Sequence, residues 1–161
     1  MTSMSSHRPG KTDAKVFTPE QANATLPLVR AIVGDVVRVS REVTERRQRL
    51  SVLLYGRQES ARDPYHEELA QIEQELEKDR QRLKGFVREL EDLGVEPKSV
   101  SDGVVDFPGV LDGRRVLLCW KLGEPEIGHW HEVDDDARAR RPLKAEMCGT
   151  EASCDGADGL A

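Results

Sequence analysis

Apolar residues recur at helical spacing over two long segments of the chain. In residues 27–55 the repeat comprises Val29, Val33, Val36, Val43, Leu50 and Leu54. In residues 64–93 it comprises Leu69, Ile72, Leu76, Leu83, Phe86 and Leu90. An apolar stripe of this kind buries one face of a helix against a partner. The pattern therefore predicts two long amphipathic helices of similar length.

The first helix has a start signal and one internal helix breaker. Thr18 stands three residues before Gln21, which is the spacing of a capping box, and Pro19 occupies the first helical position. Pro27 lacks an N–H group and crowds the carbonyl group of Asn23. The sequence therefore predicts a kink or a new helix start at Pro27.

The second helix has boundary signals of its own. Asp63 is predicted to cap its N-terminus, with Pro64 at the first position, and Gly94 is predicted to end it. Asp79 stands where the stripe expects an apolar residue. A polar residue at such a position is predicted to set the register between two helices.

The two segments carry opposite charge. Residues 27–57 contain seven arginines and three acidic residues, a net charge of +4, whereas residues 64–93 contain five basic and nine acidic residues, a net charge of −4. Together with the short connection, this favours an antiparallel helical hairpin. The same pattern also allows pairing between two chains, so a homodimer through the helices is a second prediction.

Beyond Gly94 the pattern changes from helical to alternating. Four short β-rich runs, VEPKSV, GVVDFPGV, RRVLLCWKL and IGHWHEV, are separated by the turn sequences SDG, LDG and GEPE. The predicted fold class is α+β: a long antiparallel helical hairpin, coiled-coil-like, with a small antiparallel β-meander at one end. A single domain is predicted at residues 15–143, between a disordered polar tail at 1–14 and a disordered acidic tail at 144–161.

Composition narrows the range of functions. Charged residues make up 34% of the chain and aromatic residues 4%, which suits long amphipathic helices better than a large core. The net charge of −6 provides no general attraction for nucleic acid or for an anionic membrane. No signal peptide, no membrane span and no close cysteine pair stand in the sequence, so we expect a cytoplasmic protein with reduced thiols.

One group of side chains suggests a metal site. Alternate residues of a strand share a face, so packing Leu118 inward leaves Cys119 on the opposite face. Two histidines of the last strand also share a face with one another, and carboxylates lie on the preceding strand and in the turn. Thiolate, imidazole and carboxylate groups together suit zinc or iron. The predicted metal ligands are Asp106, Cys119, Glu126, His129 and His131.

Two further interpretations of this region compete with the metal site. Trp120 and Trp130, with Glu124 and Glu126, are candidates for the wall of a small-molecule pocket; alternatively, both tryptophans are core residues. Cys119 is also a candidate nucleophile with a histidine as its base, although a cysteine in the middle of a strand is usually inert. In the simplest alternative, the histidines and acidic residues are solvated polar positions.

Two motifs give the chain a resemblance to a known family. The opening motif is FTPEQANATLPLVR and the closing motif is GVVDFPGVLDGRRVLLCWKLGEPEIGHWHE. Over roughly residues 16–133 the chain resembles DUF2203, a family of uncharacterised bacterial proteins. The resemblance supports the domain boundaries and implies no activity. Position 129 is often aromatic in that family. The resemblance therefore favours Cys119, Glu124, Glu126 and His131 over His129 as candidate site residues.

The sequence supports two hypotheses about function. In the first, the protein holds a metal ion or a small ligand in its C-terminal sheet, and both an enzyme and a binding protein fit this description. In the second, it is a non-catalytic interaction or dimerisation module whose sheet caps the helices.

Overall fold

The computed structural model describes residues 15–55, 65–135 and 139–143. Two helices precede five short strands along the chain, and the predicted α+β fold is confirmed. Neither helix in the described ranges combines the length and apolar character that a membrane span requires. The elements are α1 (Pro19–Leu54), α2 (His66–Asp92), β1 (Glu96–Ser99), β2 (Val104–Leu111), β3 (Arg114–Lys121), β4 (His129–His131) and β5 (Arg141–Pro142).

Helix α1 begins at the predicted capping box. The Thr18 hydroxyl accepts from the backbone N–H of Gln21 at 3.2 Å, and the Gln21 side chain accepts from the backbone N–H of Thr18 at 3.1 Å. The prediction of a new helix start at Pro27 is wrong, because one helix runs through it. Leu26 and Val29 are buried on either side of the proline, and their packing outweighs the single backbone hydrogen bond that Pro27 lacks.

Helix α2 ends as predicted at Gly94. The backbone N–H of Val95 donates to the carbonyl of Leu90 at 2.9 Å, and the N–H of Gly94 donates to the carbonyl of Glu91, also at 2.9 Å. This is the Schellman arrangement, which requires a positive φ at the glycine; its φ is 85°. The predicted cap at Asp63 and Pro64 lies outside the described residues.

Asp79, the polar residue within the apolar stripe of α2, forms an ion pair with α1. Asp79 is only 4% exposed, and its carboxylate accepts from Arg46 of α1 and, at 3.3 Å, from Arg82 of its own helix. Arg46 also contacts Glu75 at 3.3 Å. The pair therefore joins the hairpin at one height along the helices. A small apolar cluster packs beside it: Val39, Val43, Ile72 and Leu76.

The five strands form one antiparallel sheet in the order β1-β2-β3-β4-β5. The four predicted strands are confirmed, and β5 was not predicted. Both β5 residues are exposed and they form no alternating pattern, so the strand depends on pairing with β4. Leu143, next along the chain, is buried and donates its N–H to the Gly128 carbonyl at 2.9 Å.

One face of the sheet packs on the first half of α1. Val105, Phe107, Leu118, Trp120 and Trp130 point into this core, which also contains residues near the end of α2. The helical side of the core consists of Ala22, Leu26, Val29, Ile32, Val33, Val36 and Leu90. The sheet therefore lies against one end of the hairpin, and α1 and α2 leave its other face uncovered.

The segment before α1 fixes the helix to the sheet through an isolated β-bridge at Phe17. The Phe17 backbone N–H donates to the Pro108 carbonyl at 2.8 Å, and the Val110 N–H donates to the Phe17 carbonyl at 3.2 Å. Between them stands Gly109, where a Cβ atom would lie 2.8 Å from Leu118 Cγ and 3.0 Å from the Phe17 carbonyl oxygen. Glycine is therefore required for the close approach of these three segments.

We predict that Asp79→Ala lowers the free energy of unfolding by about 1–3 kcal/mol, because it leaves the Arg46 guanidinium half-buried without its main partner. Glu73→Ala is the matched control, since Glu73 is an exposed acid on the same helix; its effect should stay within about 0.5 kcal/mol. Urea denaturation of both variants measures the difference. Equal effects of the two substitutions would show that the buried pair contributes nothing specific.

Candidate metal centre

Three neighbouring strands each contribute one metal-ligand side chain to the sheet face that points away from the helices. Asp106 lies on β2, Cys119 on β3 and His131 on β4. Asp106 and Cys119 are direct cross-strand partners, and His131 pairs with Leu117, two residues from Cys119. One ligand atom from each of the three lies within 4.8 Å of the other two.

All three side chains are buried. Asp106 and Cys119 are 0% exposed and His131 is 2% exposed. A carboxyl group at this depth is rare unless it is paired or binds a metal, whereas a buried cysteine is common. Asp106 Oδ1 is buried and has no hydrogen-bond partner among the described residues. The cluster therefore contains a carboxylate oxygen that a cation or a proton would stabilise.

The hydrogen bonds of His131 define the state of its ring. Its Nδ1 lies 2.9 Å from the Glu132 carbonyl oxygen, which can only accept, so Nδ1 carries a proton. Its Nε2 lies 3.0 Å from Asp106 Oδ2. In the neutral ring Nε2 then holds the lone pair, which is the form that binds a metal. When no metal is bound, the hydrogen bond between Nε2 and Oδ2 requires a proton that lies between the two atoms.

Burial dominates the ionisation of the other two groups. It raises the pKa of the Asp106 carboxyl above its ordinary value, and the nearby His131 opposes this shift. Burial also raises the pKa of the Cys119 thiol to about 12, with a further increase from the charge of Asp106. Cys119 is therefore a neutral thiol at physiological pH when no metal is bound.

A pocket of about 540 Å³ opens over this face of the sheet, and the three ligand residues form part of its lining. Its other walls come from β1, from the turn after it, from β3 and from the segments on both sides of residues 136–138. This volume lies in the range that small-molecule sites occupy. The cluster therefore lies directly beneath a cavity of ligand size, with its three side chains buried in the wall of that cavity.

The structure brings together three of the five predicted metal ligands and places the other two elsewhere. His129 Nδ1 lies 3.2 Å from Glu124 Oε2, so it belongs to a second polar group. Glu126 is exposed in the turn and is absent from the three-residue cluster. Two side chains on the same face of a strand can belong to different sites, because each of them turns toward its own nearest partner.

Arg140 joins the second polar group, and the sequence interpretation did not include it. Its Nη2 donates to Glu124 Oε1 at 2.5 Å and to His129 Nδ1 at 3.2 Å. Glu124 Oε1 also accepts from the backbone N–H of Lys121 at 2.7 Å. Arg140 lies beyond residue 133, roughly where the family resemblance in the sequence ends, so neither of its two motifs pointed to this arginine.

The predicted role of the tryptophans in a ligand pocket does not fit their positions. Trp120 is 0% exposed and Trp130 1% exposed, both on the core face of the sheet. Trp120 Nε1 donates to the Glu124 carbonyl at 3.0 Å, and the guanidinium groups of Arg114 and Arg141 cover the ring of Trp130. Strand alternation therefore separates both rings from the pocket, which lies on the other face.

The geometry also argues against Cys119 as a nucleophile activated by His131. Each ring nitrogen of His131 already has a partner, Glu132 O or Asp106 Oδ2. Nε2 is directed to the Asp106 carboxyl group rather than to the thiol, and the raised pKa of Cys119 agrees with an inert thiol.

The shifted thiol pKa predicts a specific pH dependence of stability. Below pH 9.0, the ordinary pKa of a thiol, Cys119 is protonated in the folded and in the unfolded chain. It therefore adds nothing to the pH dependence of the free energy of unfolding. Between pH 9.0 and about 12 the unfolded chain loses this proton while the folded chain keeps it. The free energy of unfolding of metal-free wild type should therefore fall by about 1 kcal/mol per pH unit more than that of Cys119→Ala. Urea denaturation from pH 8 to about 10.5 measures this difference; parallel curves would contradict it.

Comparison with known proteins identifies one match, to a family described as an uncharacterized conserved protein (DUF2203), and it spans residues 15–143. No curated protein and no solved structure is significantly similar to the chain. The family match covers most of the sequence and includes every strand and helix described above. The chain therefore belongs to the DUF2203 family.

Proposed function

We propose that the protein binds one transition-metal ion, zinc in preference to iron, through Asp106, Cys119 and His131. The main support is the convergence of three different buried ligand atoms, from three strands, within 4.8 Å of one another. Asp106 Oδ1, which lacks a hydrogen-bond donor among the described residues other than the neighbouring Cys119 thiol, is a second support, because a buried carboxylate oxygen without a strong partner is costly and a cation offsets that cost.

The spacing of the ligand atoms suits a small divalent ion. In a tetrahedral zinc site the bond lengths of about 2.0–2.3 Å place neighbouring ligand atoms about 3.3–3.6 Å apart. The separation of 3.0 Å between His131 Nε2 and Asp106 Oδ2 is slightly shorter than this. Small side-chain rotations are thus enough to admit an ion in place of the shared proton.

The backbone prepares His131 for metal binding. The Glu132 carbonyl accepts from Nδ1 and so keeps the lone pair on Nε2, which faces the cluster. Such an outer hydrogen bond is typical of metal-binding histidines, where it fixes the ring orientation and the tautomer. Because the adjacent residue supplies it, the interaction depends only on the local conformation of β4.

The ligand set favours zinc. A soft thiolate with an imidazole and one carboxylate fits zinc well, and two nitrogen or oxygen ligands also leave iron as an alternative. Binding must displace the thiol proton, whose pKa is about 12 in the metal-free protein, so affinity should rise with pH. Three protein ligands leave a fourth position, which is the arrangement of a reactive or ligand-binding site rather than a closed structural one.

The alternative function is an interaction module in which the helices form a homodimer. In the structure most of the apolar stripes of α1 and α2 pack against each other and against the sheet, and Leu54 at the end of α1 stays 48% exposed. This favours the metal-binding proposal over the alternative. Light scattering over a range of protein concentrations tests dimerisation directly.

Elemental analysis of purified, zinc-reconstituted protein tests the proposal. We expect about one zinc per chain in the wild type, and a loss of affinity of about 100-fold or more in Cys119→Ser and in His131→Gln, since each removes a direct ligand. Cys119→Ser is the conservative variant, because it keeps the size of the buried side chain.

His129→Gln is the matched control for the metal measurement. It removes a histidine from the same strand whose ring contacts Glu124 and Arg140 instead of the cluster, so it should retain zinc. Circular dichroism establishes that every variant is folded. Absence of stoichiometric metal from the wild type, or equal loss in His129→Gln and His131→Gln, would refute the proposed site.

A further inference from the structure

Resting on the proposed metal site, we infer that the pocket over the sheet binds a small organic carboxylate, with Lys121 and Arg140 as the residues that recognise its charge. We infer a carboxylate ligand because the pocket contains hydrogen-bond donors that have no acceptor oxygen within the described ranges. The Lys121 ammonium has no ion pair and Arg140 Nε has no acceptor among the described residues, and the open metal position also requires a ligand atom.

Arg140 is a preorganised donor at one wall of the pocket. Glu124 and His129 hold its Nη2, and its side chain is only 26% exposed. Its Nε is buried and has no acceptor among the described residues. A guanidinium fixed at one nitrogen still presents a planar edge of donors, which matches the two oxygens of a carboxylate.

Lys121 supplies a positive charge that is not paired in the described part of the chain. It is two residues from Cys119 on β3 and lines the pocket; its side chain is exposed and has no ion pair with a described residue. Lys98, the other lysine of the pocket, already contacts Glu96 at 3.3 Å. Lys121 is therefore the lysine with the larger capacity to bind a new anion.

Glu124 pairs with Arg140, but no acidic residue that the structure describes forms an ion pair with Lys121. Asp102 accepts from the Ser99 hydroxyl at 3.0 Å and keeps its negative charge, and Asp106 is assigned to the metal. Asp135 lies at the exposed mouth, where water and salt screen its charge. With one divalent ion bound by one carboxylate and one thiolate, the metal group itself adds no net charge.

The apolar part of the lining defines the rest of the ligand. Val104, Leu117 and Val133 line the same pocket, and Val133 is 55% exposed although it is a large apolar residue. A ligand with an apolar body would cover this surface while its carboxylate meets the cationic wall. The cavity of about 540 Å³ accommodates a molecule of metabolite size.

Calorimetric titration of the zinc-loaded protein with benzoate tests this inference, and benzamide serves as the uncharged probe of equal shape. We expect benzoate to bind at least about tenfold more tightly than benzamide, and Lys121→Gln to weaken benzoate about tenfold, the loss expected for one charge-assisted hydrogen bond. Arg140→Gln should weaken it at least as much.

Lys84→Gln is the matched control, because Lys84 is exposed on α2 and does not line the pocket; it should leave benzoate affinity unchanged. No binding at millimolar benzoate, equal affinity for benzamide, or no effect of Lys121→Gln would overturn the carboxylate site. Tighter binding of inorganic phosphate than of benzoate would overturn the assignment to carboxylates.

The zinc content of each sample separates the two proposals. If zinc is bound and Lys121→Gln has no effect, the carboxylate inference fails while the metal proposal holds. In the opposite case no zinc binds, but benzoate still binds more tightly than benzamide and Lys121→Gln removes that preference. The metal proposal then fails, and the cationic side chains alone form the anion site.

Discussion

The inward packing of the sheet on α1 determines most of what this molecule can do. Phe107, Trp120 and Trp130 are buried against that helix, and strand alternation then forces the residues between them onto the opposite face. A shift of one residue in register would exchange the two faces, placing the rings in the pocket and the ionisable groups in the core. The apolar core thus positions the polar cluster indirectly.

The helical hairpin gives the sheet a fixed support. Asp79 and Arg46 join the two helices far from the sheet, whereas Leu90 and Val95 carry the end of α2 into the same core as the strands. The Schellman turn at Gly94 connects these regions with only a few residues. Helices and sheet therefore share one apolar core. A change in the register of the hairpin would thus also shift the strands that form the pocket.

The polar cluster combines features that are unfavourable for stability alone. A carboxyl, a thiol and an imidazole are buried together, and burial raises the pKa of the carboxyl and of the thiol. One carboxylate oxygen has no hydrogen-bond partner within the described ranges. Replacement of such a group by packed apolar residues is often neutral or stabilising. Its place beside a pocket, on the face that α1 and α2 leave uncovered, is the reason that we propose a binding role for it.

Local patterns in the sequence determined both helices, four strands and the faces on which Cys119 and His131 lie, because helical and strand periods are properties of neighbouring residues. Tertiary structure decided the rest. It carried α1 through Pro27, added β5 by pairing, and brought Asp106 rather than Glu126 to the cluster. Spacing along a strand specifies a direction, but only packing between strands specifies which side chains meet.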